Sequence, residues 1–172
     1  FPAITSPDEI YEEMWRLGEE SGAKVYEIGE GGKFCGEGWE LVCLSPIKES
    51  ESGDKNNSST VLQLNYGAFR MLLTGDLGFE GEEKLLNAGV LEEVDVWKVS
   101  HHGSKYSGSE EFLGTILPKV SLISVGKNYY GHPSGEILER ISRVGSLVWT
   151  TLDSGAIMVE SDGKTYRVTT MR

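Results

Sequence analysis

Histidine is scarce in this sequence. There are three in 172 residues, His101, His102 and His132, so imidazole chemistry is confined to two short stretches. Cysteine is scarcer still, with only Cys35 and Cys43. The segment "KFCGEGWELVCLSP" reads as a hairpin turning at Glu37-Gly38, which sets Cys35 opposite Glu40 and Cys43 beyond the start of the first strand. A disulfide needs Cα atoms about 4.4–6.8 Å apart, so no bridge is expected. Proline is sparse (5) and glycine plentiful (22), which implies many tight turns without low-complexity character. No apolar run approaches the roughly 18 uncharged residues of a membrane span. Basic residues are in deficit, 16 against 27 acidic, for a net charge of -11. Such a field repels nucleic acid on average, so any DNA or RNA contact needs a local basic patch or a bound metal ion. The chain begins at Phe1 without a methionine and reads as an excised piece.

What remains is ample for one domain, 1–172, with a real core. A first helix is signposted by Ser6 as cap, Pro7 in the first turn, Glu9 completing a capping box and Gly22 at the end. Ile10, Met14 and Leu17 form its apolar stripe. Short strands follow: "KVYEIG", "KFCG", "WELVCLSP", "STVLQLNYG" and "FRMLLTGD", the last two joined around Gly67-Ala68. The loop-like run "ESESGDKNNSS" separates the third from the fourth. After Asp76 the rhythm becomes helix, strand, helix, strand. "GEEKLLNAG" is a helix with Gly89 past its end, "VDVWKVS" a strand, and "SEEFLGTIL" a helix stopped by Pro118. "VSLISVG" is a strand, and Ser134 caps "GEILERISRVG". "LVWTT", "AIMVES" and "TYRVTTM" finish the chain, the last two turning at Asp162-Gly163. Strands first and alternation later predict a layered, mixed α/β domain.

The polar residues fall at informative places on that frame. "MLLTGD" ends in Asp76, "VWKVSHHG" in His101 and His102, and "LISVG" leads through a short loop to His132. Ligand sites in layered α/β folds collect at strand ends. A carboxylate with imidazoles suits a borderline divalent ion such as zinc or manganese. Gly75 and Gly103 beside the candidates let the backbone come close to an ion. Each signal has a plain alternative: Asp76 as a helix cap, His-His-Gly-Ser as an ordinary turn, His132 as the start of a helix. Three consecutive strand ends carrying such groups make a shared site the better account.

"NNSSTVLQLNYGAFRMLLTGD", "VDVWKVSHHGSKYS" and "LISVGKNYYGHPSGEIL" together resemble the metallo-β-lactamase-type domain of the competence protein ComEC family, in order and spacing, from about Ser45 to Gly155. The resemblance implies the C-terminal part of a four-layer αββα fold, mixed sheets with flanking helices. It also implies a metal-dependent DNA nuclease domain attached to a polytopic membrane channel, outside the cytoplasmic membrane, that degrades the non-transported strand during DNA uptake. By the same resemblance Asp76 corresponds to the metal-bridging carboxylate, and His102 to the histidine ending the next core strand, with His101 as second candidate. His132 of "YGHP" and Asn57 of "NNSS" match signature positions with substrate-contact or outer roles. Ser104 is a candidate to bond a phosphate oxygen, and Lys127 to supply a positive charge.

One departure stands beside that match. The upstream H-x-H-x-D-H motif of the superfamily is nowhere in the chain, and "NNSS" has no histidine. The expected metal site, for manganese or zinc, is therefore incomplete here. The piece by itself is expected to be inert, to bind metal weakly, and to self-associate through an uncovered sheet face or edge. Two other functions compete: a non-catalytic module binding DNA or a partner of the uptake machinery, and a superfamily hydrolase acting on lactone, β-lactam or RNA. The acidic balance counts against the first, and the "YGHP" and "HHGSKYS" stretches count against the second.

Overall fold

A computed structural model describes residues 9–46 and 59–171. The elements are α1 (Glu9–Glu20), β1 (Lys33–Gly36), β2 (Trp39–Ser45), β3 (Val61–Tyr66), β4 (Phe69–Leu73), α2 (Phe79–Ala88), β5 (Val96–Lys98), α3 (Glu110–Ile116), β6 (Val120–Ile123), α4 (Gly135–Arg143), β7 (Leu147–Thr150), α5 (Thr151–Ser154), β8 (Ala156–Ser161) and β9 (Tyr166–Met171). Asn57, Ser6, Pro7 and the "ESESGDKNNSS" run, apart from Ser59, lie outside the described residues.

β1 to β7 form one seven-stranded sheet in chain order, and β8–β9 a second, two-stranded sheet. The first four strands are an antiparallel meander, and β4 to β7 run parallel. Parallel neighbours need crossovers, and α2, α3 and α4 supply them. The predicted hairpin registers hold: Cys35 faces Glu40, and Tyr66 faces Phe69 across Gly67-Ala68. Both cysteines are free. Ser109 and Ser134 cap α3 and α4, and Gly89 closes α2 at φ 64°.

Strands β5 and β6 at the centre of the sheet are covered on both faces, which is why they read as near-continuous apolar runs. On one face Leu72, Trp97, Val99 and Ile123 pack under Leu85, Phe112, Leu113, Ile116, Ile137 and Ile141 of the helices. Trp97 is fully buried and meets Phe112 edge-on at 5.8 Å. Burying side chains of this size contributes about 1.5–3 kcal/mol each. On the other face Phe69, Val96, Val120 and Leu122 meet Ile157, Val159, Tyr166 and Val168 of the β8–β9 hairpin. The layers are thus helix, sheet and sheet. Among the described residues no helix is long and apolar enough to cross a membrane.

Three local expectations differ from the structure. "KVYEIG" contributes a single bridge residue, Ile28, rather than a strand. Met14 and Leu17 are half exposed, and neither enters a core cluster of the described residues. The end of "LVWTT" turns into the short α5, with Thr150 capping it through the Asp153 N–H.

Candidate metal and nucleotide site

β4, β5 and β6 lie side by side and parallel, so their C-terminal ends open onto one edge of the sheet. Asp76 follows β4, the histidine pair follows β5, and His132 sits in the loop after β6. Topology alone therefore gathers the polar residues that the sequence spreads over nearly 60 positions.

The turn after β5 is strained. His101 and His102 both have left-handed backbones, φ 47° and 56°, which cost about 1–2 kcal/mol per non-glycine residue. Such outliers persist where surrounding structure over-determines them, and they cluster at functional sites. The surroundings here are specific. The Ser100 hydroxyl donates to Thr74 Oγ1 at 2.7 Å, and Trp97 Nε1–H donates to the same oxygen at 3.1 Å. Thr74 in turn donates to the Lys98 carbonyl at 2.9 Å. His101 N–H bonds the Gly75 carbonyl, and Ser134 N–H the Gly103 carbonyl. Gly103 has φ +83°, and a Cβ there would sit 2.8 Å from Pro133 Cβ. The histidine turn and the His132-Pro133 loop thus touch with no room for a side chain between them.

The two imidazoles consequently face different partners. The Nδ1–H of His102 donates to the Ser124 carbonyl at 2.7 Å, since a carbonyl can only accept. Neutral His102 therefore carries its lone pair on Nε2, which lies 3.8 Å from Asp76 Oδ1. Backbone anchoring of the far nitrogen is how metal-binding histidines are usually oriented. A 3.8 Å separation is the span that two ligand bonds of about 2.0–2.2 Å subtend at an open angle. Asp76 is held by its N–H bonding Ser59 Oγ at 3.1 Å. His101 instead lies edge-on to His132, ring centroids 5.8 Å apart. Among the described residues no three His, Cys, Asp or Glu side chains form a group able to hold an ion. The donors present fit one edge of a divalent-ion site, supplied by Asp76 and His102.

His132 is packed between His101 and Tyr130, whose ring stacks on it at 6.1 Å and 28°. Burial, and then the nearby His101 and His102, hold its pKa below the ordinary imidazole value. Its Nδ1 is buried with no hydrogen-bond partner among the described residues. Lys127 is exposed on the rim. Ser104 is buried, and its hydroxyl oxygen accepts from the Tyr106 N–H within the turn.

Several residues at this edge carry no obvious motif. Lys98 ends β5 on the second-sheet side, where burial lowers its pKa and the Asp76 charge raises it. A lysine inside an otherwise apolar strand was its sequence signal. Glu82 of α2 is fully buried, and its carboxylate accepts from Gly108 N–H at 2.5 Å and Ser109 N–H at 2.8 Å. Burial pushes its pKa up, against those hydrogen bonds and the Arg140 charge. Arg140 donates to the carbonyls of Lys105, Ser107 and Gly108. Together they clamp the loop that follows the histidine turn.

Comparison with known proteins fits this geometry. The chain is 37% identical over 147 residues to ComE operon protein 3 of Bacillus subtilis, covering 85% of the chain and 19% of that protein. It is 36% identical over 124 residues to Recombination protein 2 of Haemophilus influenzae, covering 72% and 15%. Against Competence protein ComA of Neisseria gonorrhoeae it is 34% identical over 138 residues, covering 76% and 20%. The chain thus spans about a fifth or less of the length of these relatives. No family model matches it. Among solved structures, a point mutant of the CmlA beta-hydroxylase, an enzyme of metallo-β-lactamase fold, superposes with a TM-score of 0.52 at 13% identity, covering 93% of the chain and 36% of that structure. At that identity the likeness concerns the fold alone.

Proposed function

Because the chain belongs to the ComEC family of competence proteins, as part of its metallo-β-lactamase-type domain, we propose that it contributes one side of a metal-dependent DNA phosphodiesterase site. The observation that carries this is the facing pair His102 Nε2 and Asp76 Oδ1, 3.8 Å apart, with His102 Nδ1 fixed on the Ser124 carbonyl. Asp76 and His102 would hold a manganese or zinc ion, with His101 one turn residue away. A divalent ion there supplies Lewis-acid stabilisation of negative charge on a phosphodiester. Lys127 brings a positive charge to the same rim, and His132, kept neutral by its surroundings, contacts the substrate. On this reading the missing ligands come from an H-x-H-x-D-H motif outside the chain, and cleavage is a property of the longer protein. In that protein the channel domain and one strand of incoming DNA are the partners, the domain lies on the extracytoplasmic face, and the non-transported strand is degraded.

The test has two arms. Manganese titrated into the 172-residue chain should bind weakly, with binding lost in Asp76→Ala, and single- or double-stranded DNA should survive incubation with the chain. A longer protein containing the upstream motif should cleave DNA with manganese, and Asp76→Ala should abolish cleavage. There, His132→Ala should lower turnover more than metal content; stoichiometric metal loss instead would make His132 a ligand. If the longer protein binds DNA without cleaving it under any divalent metal, the non-catalytic module becomes the better account. That alternative has its own support, since no three-ligand cluster exists among the described residues.

A further inference from the structure

Beside the Asp76–His102 pair the structure has an open pocket of about 440 Å³. Its wall runs from His102 along the loop after β6, through Lys127, Asn128, Tyr130 and His132, to Thr151. The volume falls in the lower part of the range of about 300–1,000 Å³ that accepts small organic ligands. In a chain of net charge -11, no carboxylate is among the described residues that line it. Its charged side chain is Lys127. The Lys127 charge favours an anionic ligand at this wall.

The loop that forms the wall is built to be rigid. The Asn128 amide makes four hydrogen bonds within it. Nδ2 donates to the carbonyls of Gly126 and His132 at 2.9 and 2.8 Å, and Oδ1 accepts from the N–H groups of Tyr130 and His132 at 3.0 and 3.1 Å. Thr151 ties the loop's base to the end of β7, exchanging hydrogen bonds with Val125 N–H and carbonyl, both at 2.8 Å. On this frame the Tyr130 residue is 86% exposed, its ring backed on one side by His132. An aromatic ring held in water by a fixed loop loses little further freedom on binding, so its stacking energy is realised with little ordering cost.

We propose that this pocket is a subsite for one unpaired nucleotide next to the phosphodiester held at Asp76 and His102, with Tyr130 as the base-stacking face and Lys127 as the phosphate contact. The subsite rests on the proposed phosphodiesterase site for its meaning. Every base offers a π-face, so stacking here is tolerant of sequence. A base paired in a duplex must leave its stack before it can enter, so the pocket selects single strands. Tyr129 is the neighbouring contrast: it is fully exposed, yet it does not line the pocket.

The experiment measures equilibrium binding to the full 172-residue chain in EDTA, so that neither metal occupancy nor cleavage enters. The probes are an eight-residue oligodeoxythymidylate, an abasic oligomer of the same length, and a hairpin duplex. The thymidylate is expected to bind about fivefold or more tightly than the abasic strand, as one stacked base is worth about 1–3 kcal/mol. Tyr130→Ala should remove that difference, Tyr130→Phe should keep it, and Tyr129→Ala should change little. Lys127→Ala should weaken both single strands alike and reduce the salt dependence by about one phosphate contact. Equal binding of thymidylate and abasic strands would overturn the proposal. So would duplex binding as tight as single-strand binding, no measurable single-strand binding, or an equal loss on Tyr129→Ala. Because no metal is present, failure here leaves the Asp76–His102 site untouched, and loss of cleavage in the longer protein leaves the subsite untouched.

Discussion

Replacing Thr74 by valine keeps the shape of the side chain and removes one oxygen. That oxygen is fully buried and serves three hydrogen bonds, from Ser100 Oγ, from Trp97 Nε1 and to the Lys98 carbonyl. Each is worth about 0.5–1.5 kcal/mol net, and a buried donor left unmatched, here the Trp97 indole N–H, costs about 1–3 kcal/mol. Thr74→Val should therefore destabilise the chain by about 3 kcal/mol. Thr74→Ser keeps the hydroxyl and should cost about 1 kcal/mol, the value of a lost buried methyl. The second consequence is local. Ser100 begins the turn in which His101 and His102 hold left-handed backbones. With its anchor gone, the strain of about 1–2 kcal/mol per residue can relax, and His102 moves away from Asp76. Urea unfolding followed by tryptophan fluorescence gives the first quantity, and manganese titration gives the second. A Thr74→Val variant within 1 kcal/mol of wild type, or a Thr74→Ser variant as damaged as Thr74→Val, would refute the role assigned to this oxygen.

Three further outcomes are expected. The raised pKa of Glu82 means its contribution is present below the ordinary glutamate range and lost as pH rises through the folded value. The stability deficit of Glu82→Gln should accordingly be larger near pH 4 than near pH 8; a deficit that widens with pH would show that the Gly108 and Ser109 hydrogen bonds outweigh burial. Gly103→Ala places a Cβ 2.8 Å from Pro133 in a left-handed backbone. It should destabilise the chain by roughly 2 kcal/mol or more and weaken manganese binding with it, whereas an unchanged melting temperature would deny the close approach of the two loops. β7 ends the main sheet among the described residues, with Leu147 66% and Val148 38% exposed. Such an edge invites pairing, so sedimentation should show dimers at high concentration that Leu147→Lys returns to monomers; a monomer at every concentration would count against it.

Much of this fold was legible locally. Turn chemistry at Glu37-Gly38 and Gly67-Ala68 set both hairpin registers, and Ser134 and Gly89 marked helix ends, because turns and caps depend on a few adjacent residues. The placement of Asp76, His102 and His132 after apolar runs was equally readable. Whether those ends meet was not, since that depends on the parallel order β4-β5-β6. Spacing alone does not distinguish His101 from His102, although the resemblance ranks His102 first. Only the left-handed turn and the Ser124 carbonyl send one ring to Asp76 and the other to His132. "KVYEIG" has strand-like residues, but among the described residues only Ile28 forms a bridge, because β-propensity becomes a strand only where the ladder continues. Lys98, Thr74 and Tyr130 acquire their places the same way. Composition and spacing decide which groups a chain can bring to an edge; packing and backbone geometry decide which atoms face each other once there.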